Sequence, residues 1–287
     1  MEYKDLVRDV LSDQKKRSFI VKNLRNSMVT LGFSEVLMSD FLDNIDHLDL
    51  EALIKKHHAE FTEVQLKHYF DEVVPEHFKK YVLPEIPQTG KILDLGCGRG
   101  TLFQTLVRTG FKNKMIGIDI IHTPEWDELA SQQMRFEVVQ ESNFLNFIKE
   151  EKPDHVTLTW VLHHMEFTQQ KRYLTSLYGI LKEGATIVAL EDSYADTIPP
   201  ETGEDSWGDF KKWSIDDRLK IMGAYDWLAN RVFSMRTTMP VPFAYRTLED
   251  WKKVFEEVGF SVTKTRFLGF PEECDVNTAR SIIVAIK

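Results

Sequence analysis

Apolar positions change their period along this chain. Up to about residue 88 they recur at helical spacing. Leu6, Val7, Val10 and Leu11 make a stripe that Phe19, Ile20, Leu24, Met28 and Leu31 continue, and Gly32 reads as a helix stop. Val36, Leu37, Phe41, Leu42 and Ile45 predict another amphipathic helix. Asp49 is placed to cap a third, carrying Leu50, Leu53 and Ile54. Over 60–83, Phe61, Val64, Leu66, Tyr69, Val73 and Phe78 keep an imperfect helical pattern that Pro75 interrupts, and Pro84 and Pro87 close the region.

From Lys91 the rhythm becomes strand, helix, strand, which predicts a parallel sheet covered on both faces. The expected strands are Lys91–Leu95, Met115–Ile120, Arg135–Val139, His155–Val161 and Ala185–Leu190. The expected helices between them include Thr101–Arg108 and Phe167–Leu181. Ser261–Phe267 and Ser281–Ile286 are two more strands, joined by a link too short for a helical crossover, so they pair antiparallel. Thr247 is an N-cap, with Asp250 at the capping-box position of the helix before them.

Residues 193–246 break this rhythm with a connection far longer than an ordinary one. They hold an acidic loop (Glu201, Glu204, Asp205, Asp209), many aromatics and a helix expected over Ser214–Phe233. The position, after strand 5, suits a lid over a ligand site; a packing layer for residues 1–88 or an oligomer surface is the other reading. The chain thus divides into a helical extension, 1–88, and an α/β domain, 89–287, with an insertion at about 193–246.

Composition narrows the classes. A formal net charge of −9 with no basic stripe argues against a nucleic-acid partner. No stretch approaches the roughly 20 apolar residues of a membrane span. The charged N-terminus does not read as a secretory signal, and the two cysteines, Cys97 and Cys274, favour a reducing cytoplasm. His57, His58 and His68 have no cysteine or carboxylate cluster at ligand spacing, so no metal site is expected.

The chemistry centres on Lys91–Thr101, KILDLGCGRGT: a short strand, Gly96, Gly98 and Gly100 at alternate positions, then a helix start. Glycines let a ligand approach the backbone closely, and the helix start offers unpaired N–H groups with a positive dipole end. A dinucleotide turn would place its third glycine one residue later. The spelling D-L-G-C-G-R-G from Asp94 resembles motif I of the class I S-adenosylmethionine-dependent methyltransferases. Later stations agree in order. Asp119 closes strand 2, PDHVTLTWVLHHM around strand 4 is similar to motif IV, and GILKEGATIVALED is similar to the lead into strand 5.

The resemblance implies a Rossmann-like seven-stranded sheet with an antiparallel last strand, to which the helical N-terminal extension and the helical lid read from the chain's own pattern are added. It implies S-adenosylmethionine as cofactor and a small molecule as methyl acceptor. Asp94, Gly96, Gly98 and Gly100 would hold its methionine part and Asp119 its ribose; Asn143 and Phe144 would take the adenine, with Asn where the family usually has Asp. Trp160 and Val161 would line the sulfonium end, and His163 or His164 could act as general base, since histidine titrates near neutrality. A peptide or protein methyltransferase, and a methyltransferase-fold protein without methyl transfer, are the competing readings. A homo-oligomer is left open.

Overall fold

The structure is a computed structural model, and it describes residues 3–45, 49–194, 210, 212–236, 239–269 and 278–287. The acidic loop Glu201–Asp209, Trp207 within it, and Cys274 lie outside the described residues.

Seven strands form one sheet in the order β3-β2-β1-β4-β5-β7-β6. They are β1 (Lys91–Leu95), β2 (Lys114–Asp119), β3 (Met134–Val138), β4 (His155–Thr159), β5 (Thr186–Asp192), β6 (Ser261–Gly269) and β7 (Arg280–Ile286). The first five are parallel, while β7 runs antiparallel to both β5 and β6. Near-continuous burial along β1 and β5 is what a parallel strand covered on both faces requires. The order reverses between β1 and β4, so the crevice beyond their C-terminal ends is the natural ligand position.

Two sequence expectations about strands are corrected. β4 ends at Thr159 rather than Val161, because Trp160 adopts φ 57° and turns the chain out of the ladder. β5 runs two residues further than expected, carrying Glu191 and Asp192 into the interior as Ser281 and Arg280 of β7 pair with them.

Helices α1 (Tyr3–Ser12), α2 (Gln14–Leu31) and α3 (Glu35–Leu42) precede the sheet. Gly32 ends α2 with φ 85°, and Asp49 caps α4 (Leu50–Glu60) by accepting the Ala52 N–H. Pro75 does not interrupt the helical path beyond α4. That path continues in wide π turns over Phe61–Val73 and Phe78–Val82, and Pro75 sits in the first turn of the α segment between them, where its missing N–H costs least. On the sheet lie α5 (Thr101–Arg108), α6 (Glu125–Leu129), α7 (Phe144–Glu151), α8 (Phe167–Ile180) and α10 (Leu248–Glu257), with α9 (Ile215–Leu228) in the insertion. Thr247 caps α10 through the Asp250 N–H.

The insertion and the extension share one core. Phe233, just beyond α9, meets Phe33, Phe41 and Phe61 edge-on, at centroid distances of 5.7, 5.4 and 6.2 Å. Lys16 of α2 bonds Asp217 of α9 at 2.9 Å. Gly223 lets α9 accept the Phe243 ring, since an added Cβ would lie 2.2 Å from it. Among the described residues no helix is long and apolar enough to cross a membrane.

Candidate active site

The turn after β1 is shaped by contacts at two glycines. Gly96 has φ 70°, and a Cβ there would meet Val161 Cγ2 at 2.8 Å; Gly100 has φ 78° and would strike Phe136 at 2.9 Å. Both positions are therefore closed to other residues on backbone and steric grounds. The turn is pinned to β2 by Gly96 and Cys97 N–H bonds to the Ile118 carbonyl, 2.8 and 3.1 Å. Cys97 is a buried free thiol, its pKa pushed up by burial, and it packs beside Gly117. No side chain caps the N-terminus of α5, so its leading N–H groups face the crevice with the helix dipole behind them. Arg99, in the turn, bonds Glu125 and donates to the Leu66 carbonyl of the N-terminal extension.

Two carboxylates flank the turn. Asp119, at the tip of β2, accepts the Gly98 N–H at 2.9 Å and the Ile120 N–H at 2.7 Å. Asp94 in β1 is 1% exposed and accepts the Thr157 hydroxyl at 2.6 Å. Burial raises it to about 7, the Thr157 bond opposing and the charge of Asp119 adding. A buried carboxyl in this condition gains from a cationic ligand, which would favour its ionised form.

Beyond β3 the expected pair separates. Phe144 lines the crevice, but Asn143 is exposed and does not; Glu141, two positions earlier, does. The reason is local. Glu141–Asn143 form a 3₁₀ turn that directs Asn143 outward before α7 begins. At the end of β4, Trp160 holds a strained backbone of the kind that collects at functional sites. Its ring is stacked on His77 at 6.0 Å, and the Arg280 guanidinium lies 4.6 Å from it. Burial, with Arg280 and Lys80 nearby, lowers His77 to about 2, so it is neutral.

The two histidines after β4 differ in state. His163 is 1% exposed, and its Nδ1 lies 2.7 Å from Glu191. Burial alone would lower its pKa, but the Glu191 bond, with Asp192 and Asp226 adding, outweighs this and lifts it to about 9. The Glu191 bond thus favours the imidazolium form of His163, which leaves His164 as the better placed of the two candidates for a general base. His164 sits on the crevice wall with Nδ1 2.7 Å from the Pro240 carbonyl, so that nitrogen carries the hydrogen and Nε2 the lone pair. Burial and the charge of His163 hold it well below its ordinary value, in the neutral form.

Asp226 of α9 completes this end. It is 3% exposed and accepts the Tyr245 hydroxyl at 2.6 Å and the Asn230 amide at 2.7 Å. Burial raises its pKa. Sequence reading assigned nothing to Asp226, Tyr245, Asn230 or Glu191. A signal existed for Asp226: a lone carboxylate in an otherwise apolar stretch, GAYDWL, where burial without a partner would be costly.

One cavity of about 330 Å³ lies among these groups. The sheet end supplies Asp94, Gly96, Gly98, Asp119, Trp160 and Val161; Gly100 lies just behind, packed on Phe136. Gln65, Tyr69 and Phe78 of the extension form a second wall, and Asp226, Asn230 and Arg236 of the insertion a third. The extension and the insertion pack on each other, and both line the cavity.

A family model described as a methyltransferase domain matches residues 66–265. No curated protein matches the sequence. Among solved structures, the S-adenosylhomocysteine-bound form of CalO1, a methyltransferase in calicheamicin biosynthesis, is similar with a TM-score of 0.50 and 15% identity, over 96% of this chain and 70% of that one. The Burkholderia thailandensis 1,6-didemethyltoxoflavin-N1-methyltransferase, bound to 1,6-didemethyltoxoflavin and S-adenosylhomocysteine, is similar at 0.49 and 12% identity, over 83% and 87% of the two chains. Human N-acetylserotonin methyltransferase in complex with S-adenosylmethionine is similar at 0.46 and 15% identity, over 96% and 68%. At these identities the likeness is one of fold.

Proposed function

Because the chain belongs to the methyltransferase-domain family, we propose that its cavity brings S-adenosylmethionine together with a small-molecule acceptor, and that the residues around it divide the work between a cofactor end and an acceptor end. When bound, the cofactor supplies a methyl group already activated on a sulfonium. The cradle fits it: uncapped N–H groups at α5, a carboxylate at the β2 tip, and a buried carboxyl with no cationic partner among the described residues. Asp94 and the glycine turn hold the methionine part, Asp119 the ribose, and Phe144 with Glu141, in place of Asn143, the adenine side. Trp160 and Val161 line the sulfonium end.

At the other end of the cavity the acceptor meets His163, His164 and Asp226. His164 Nε2 has the lone pair for an acceptor proton; fixed His163 and Asp226 orient polar groups of the acceptor. The chain's main contribution is in-line placement of the nucleophile, about 3 Å from the methyl group, in a cavity walled on three sides. Residues 1–88 act as cover and 193–246 as lid.

The observation that carries the small-molecule reading is the three-sided enclosure of the cavity by extension, sheet end and insertion. A peptide substrate would need an open groove. A reducing cytoplasm without a nucleic-acid partner belongs to the same reading, consistent with the chain's charge and its two cysteines. The test is calorimetry with S-adenosylhomocysteine, then mass spectrometry of candidate acceptors incubated with S-adenosylmethionine. Micromolar binding and a methyl gain on a small molecule are expected. Methylation of peptides alone, or cofactor binding without any turnover, would overturn the reading.

A further inference from the structure

We infer that His163, His164 and Asp226 form a binding site for a single divalent transition-metal cation at the acceptor end of the cavity. One ligand atom from each of the three residues lies within 4.8 Å of the others. Each is oriented by a different partner, as metal ligands usually are. Glu191 holds Nδ1 of His163 and the Pro240 carbonyl takes Nδ1 of His164, which leaves Nε2 of each ring for a metal. Tyr245 and Asn230 fix the two oxygens of Asp226. Ligands and partners come from three segments distant in sequence, the turn after β4, the end of β5 and the insertion, yet they meet at one end of the cavity.

The buried charge favours a dication. Glu191, Asp192 and Asp226 are 0, 5 and 3% exposed, and the buried cation beside them is Arg280, 4% exposed. Among the described residues, the three buried acids outnumber this guanidinium in a region that solvates charge poorly. A divalent cation would offset that excess of acids. Arg231 and Arg236 add positive charge nearby, which holds the affinity below that of a closed structural site.

Two imidazoles and one carboxylate select a first-row transition ion over magnesium or calcium. Nitrogen and oxygen ligands at roughly 2.0–2.2 Å from such an ion stand about 3 Å apart, so binding draws the three side chains together. Ligation requires Nε2 of each histidine to carry a lone pair rather than a hydrogen. The open positions of the ion would hold an acceptor oxygen and lower its pKa, its proton leaving to solvent, while the His164 lone pair is spent on the metal. That last role rests on the reading of this cavity end as the acceptor site; the metal site does not.

The experiment uses the full-length, tag-free chain, stripped with chelator and titrated with Zn²⁺ by calorimetry and with Co²⁺ by visible absorption. One cation per chain and a ligand-field band for Co²⁺ are expected. His164→Gln and Asp226→Asn should each weaken Zn²⁺ binding at least tenfold and abolish the band. S-adenosylhomocysteine affinity in the same variants, within twofold of the parent, reports that they fold. Absence of stoichiometric binding, or binding unchanged in both variants, would overturn the metal site. Loss of S-adenosylhomocysteine binding by the parent would instead strike the methyltransferase reading.

Discussion

His163 Nδ1 lies 2.7 Å from an oxygen of Glu191, a carboxylate with no solvent exposure that also accepts the N–H groups of Val161, Leu162 and His163. One side chain at the end of β5 therefore folds the turn after β4 and sets the charge of the histidine within it. The histidine has a raised pKa in the folded state, about 9 against 6.5. Its contribution to stability is complete below about pH 6.5 and is lost as pH rises through 9, a difference of about 3 kcal/mol at most. The melting temperature should fall over that window. In Glu191→Gln the slope should flatten and stability should drop by roughly 3–5 kcal/mol, since a buried cation loses its partner. Thermal unfolding at several pH values checks both; an unchanged slope in the variant would mean that His163 is neutral.

Asp94 gives a signature of opposite cause. Its folded pKa is raised to about 7 from 3.8, so its contribution is greatest at low pH and is lost as pH rises through 7. A cationic ligand beside it favours the carboxylate. S-adenosylhomocysteine, which carries an ammonium group, should bind about tenfold more tightly at pH 8 than at pH 6, releasing a proton at the lower pH. Asp94→Asn should remove the dependence. Calorimetry in buffers of different ionisation enthalpy measures the proton count directly.

Asp119 both fastens the glycine turn through Gly98 and is assigned the ribose. Replacing it with alanine removes a charged acceptor from each interaction, worth about 1.5–3 kcal/mol apiece. Cofactor affinity should fall by at least 100-fold in Asp119→Ala, with secondary structure retained by circular dichroism. An affinity within threefold of the parent would remove Asp119 from the site.

Gly223 tests the insertion. A Cβ there would lie 2.2 Å from the Phe243 ring, in a fully packed region. Gly223→Ala should cost about 1–3 kcal/mol by overpacking, read from urea unfolding. If the insertion serves as lid, the Michaelis constant for the acceptor should rise in this variant while cofactor affinity changes little.

The elements that sequence placed well are those whose signals are local. Thr101–Arg108 coincides with α5 because a glycine turn precedes it and Gly110 lies just past its end, and Gly32, Asp49 and Thr247 end or begin helices by chemistry contained in a few residues. The antiparallel pairing of β7 with β6 came from the length of a link alone. The alternation of strands and helices, with D-L-G-C-G-R-G and Asp119 in order, was enough for the fold class and for the cofactor. What sequence left undecided depends on segments far apart in the chain. Asn143 was aligned to the adenine position, yet a 3₁₀ turn sends it outward. His163 and His164 are the same residue type side by side, yet Glu191, 28 positions away, favours the imidazolium of one, while burial and the charge of His163 favour the neutral form of the other. A pKa is set by burial and by neighbouring charge, and both exist only once the chain has closed around the group.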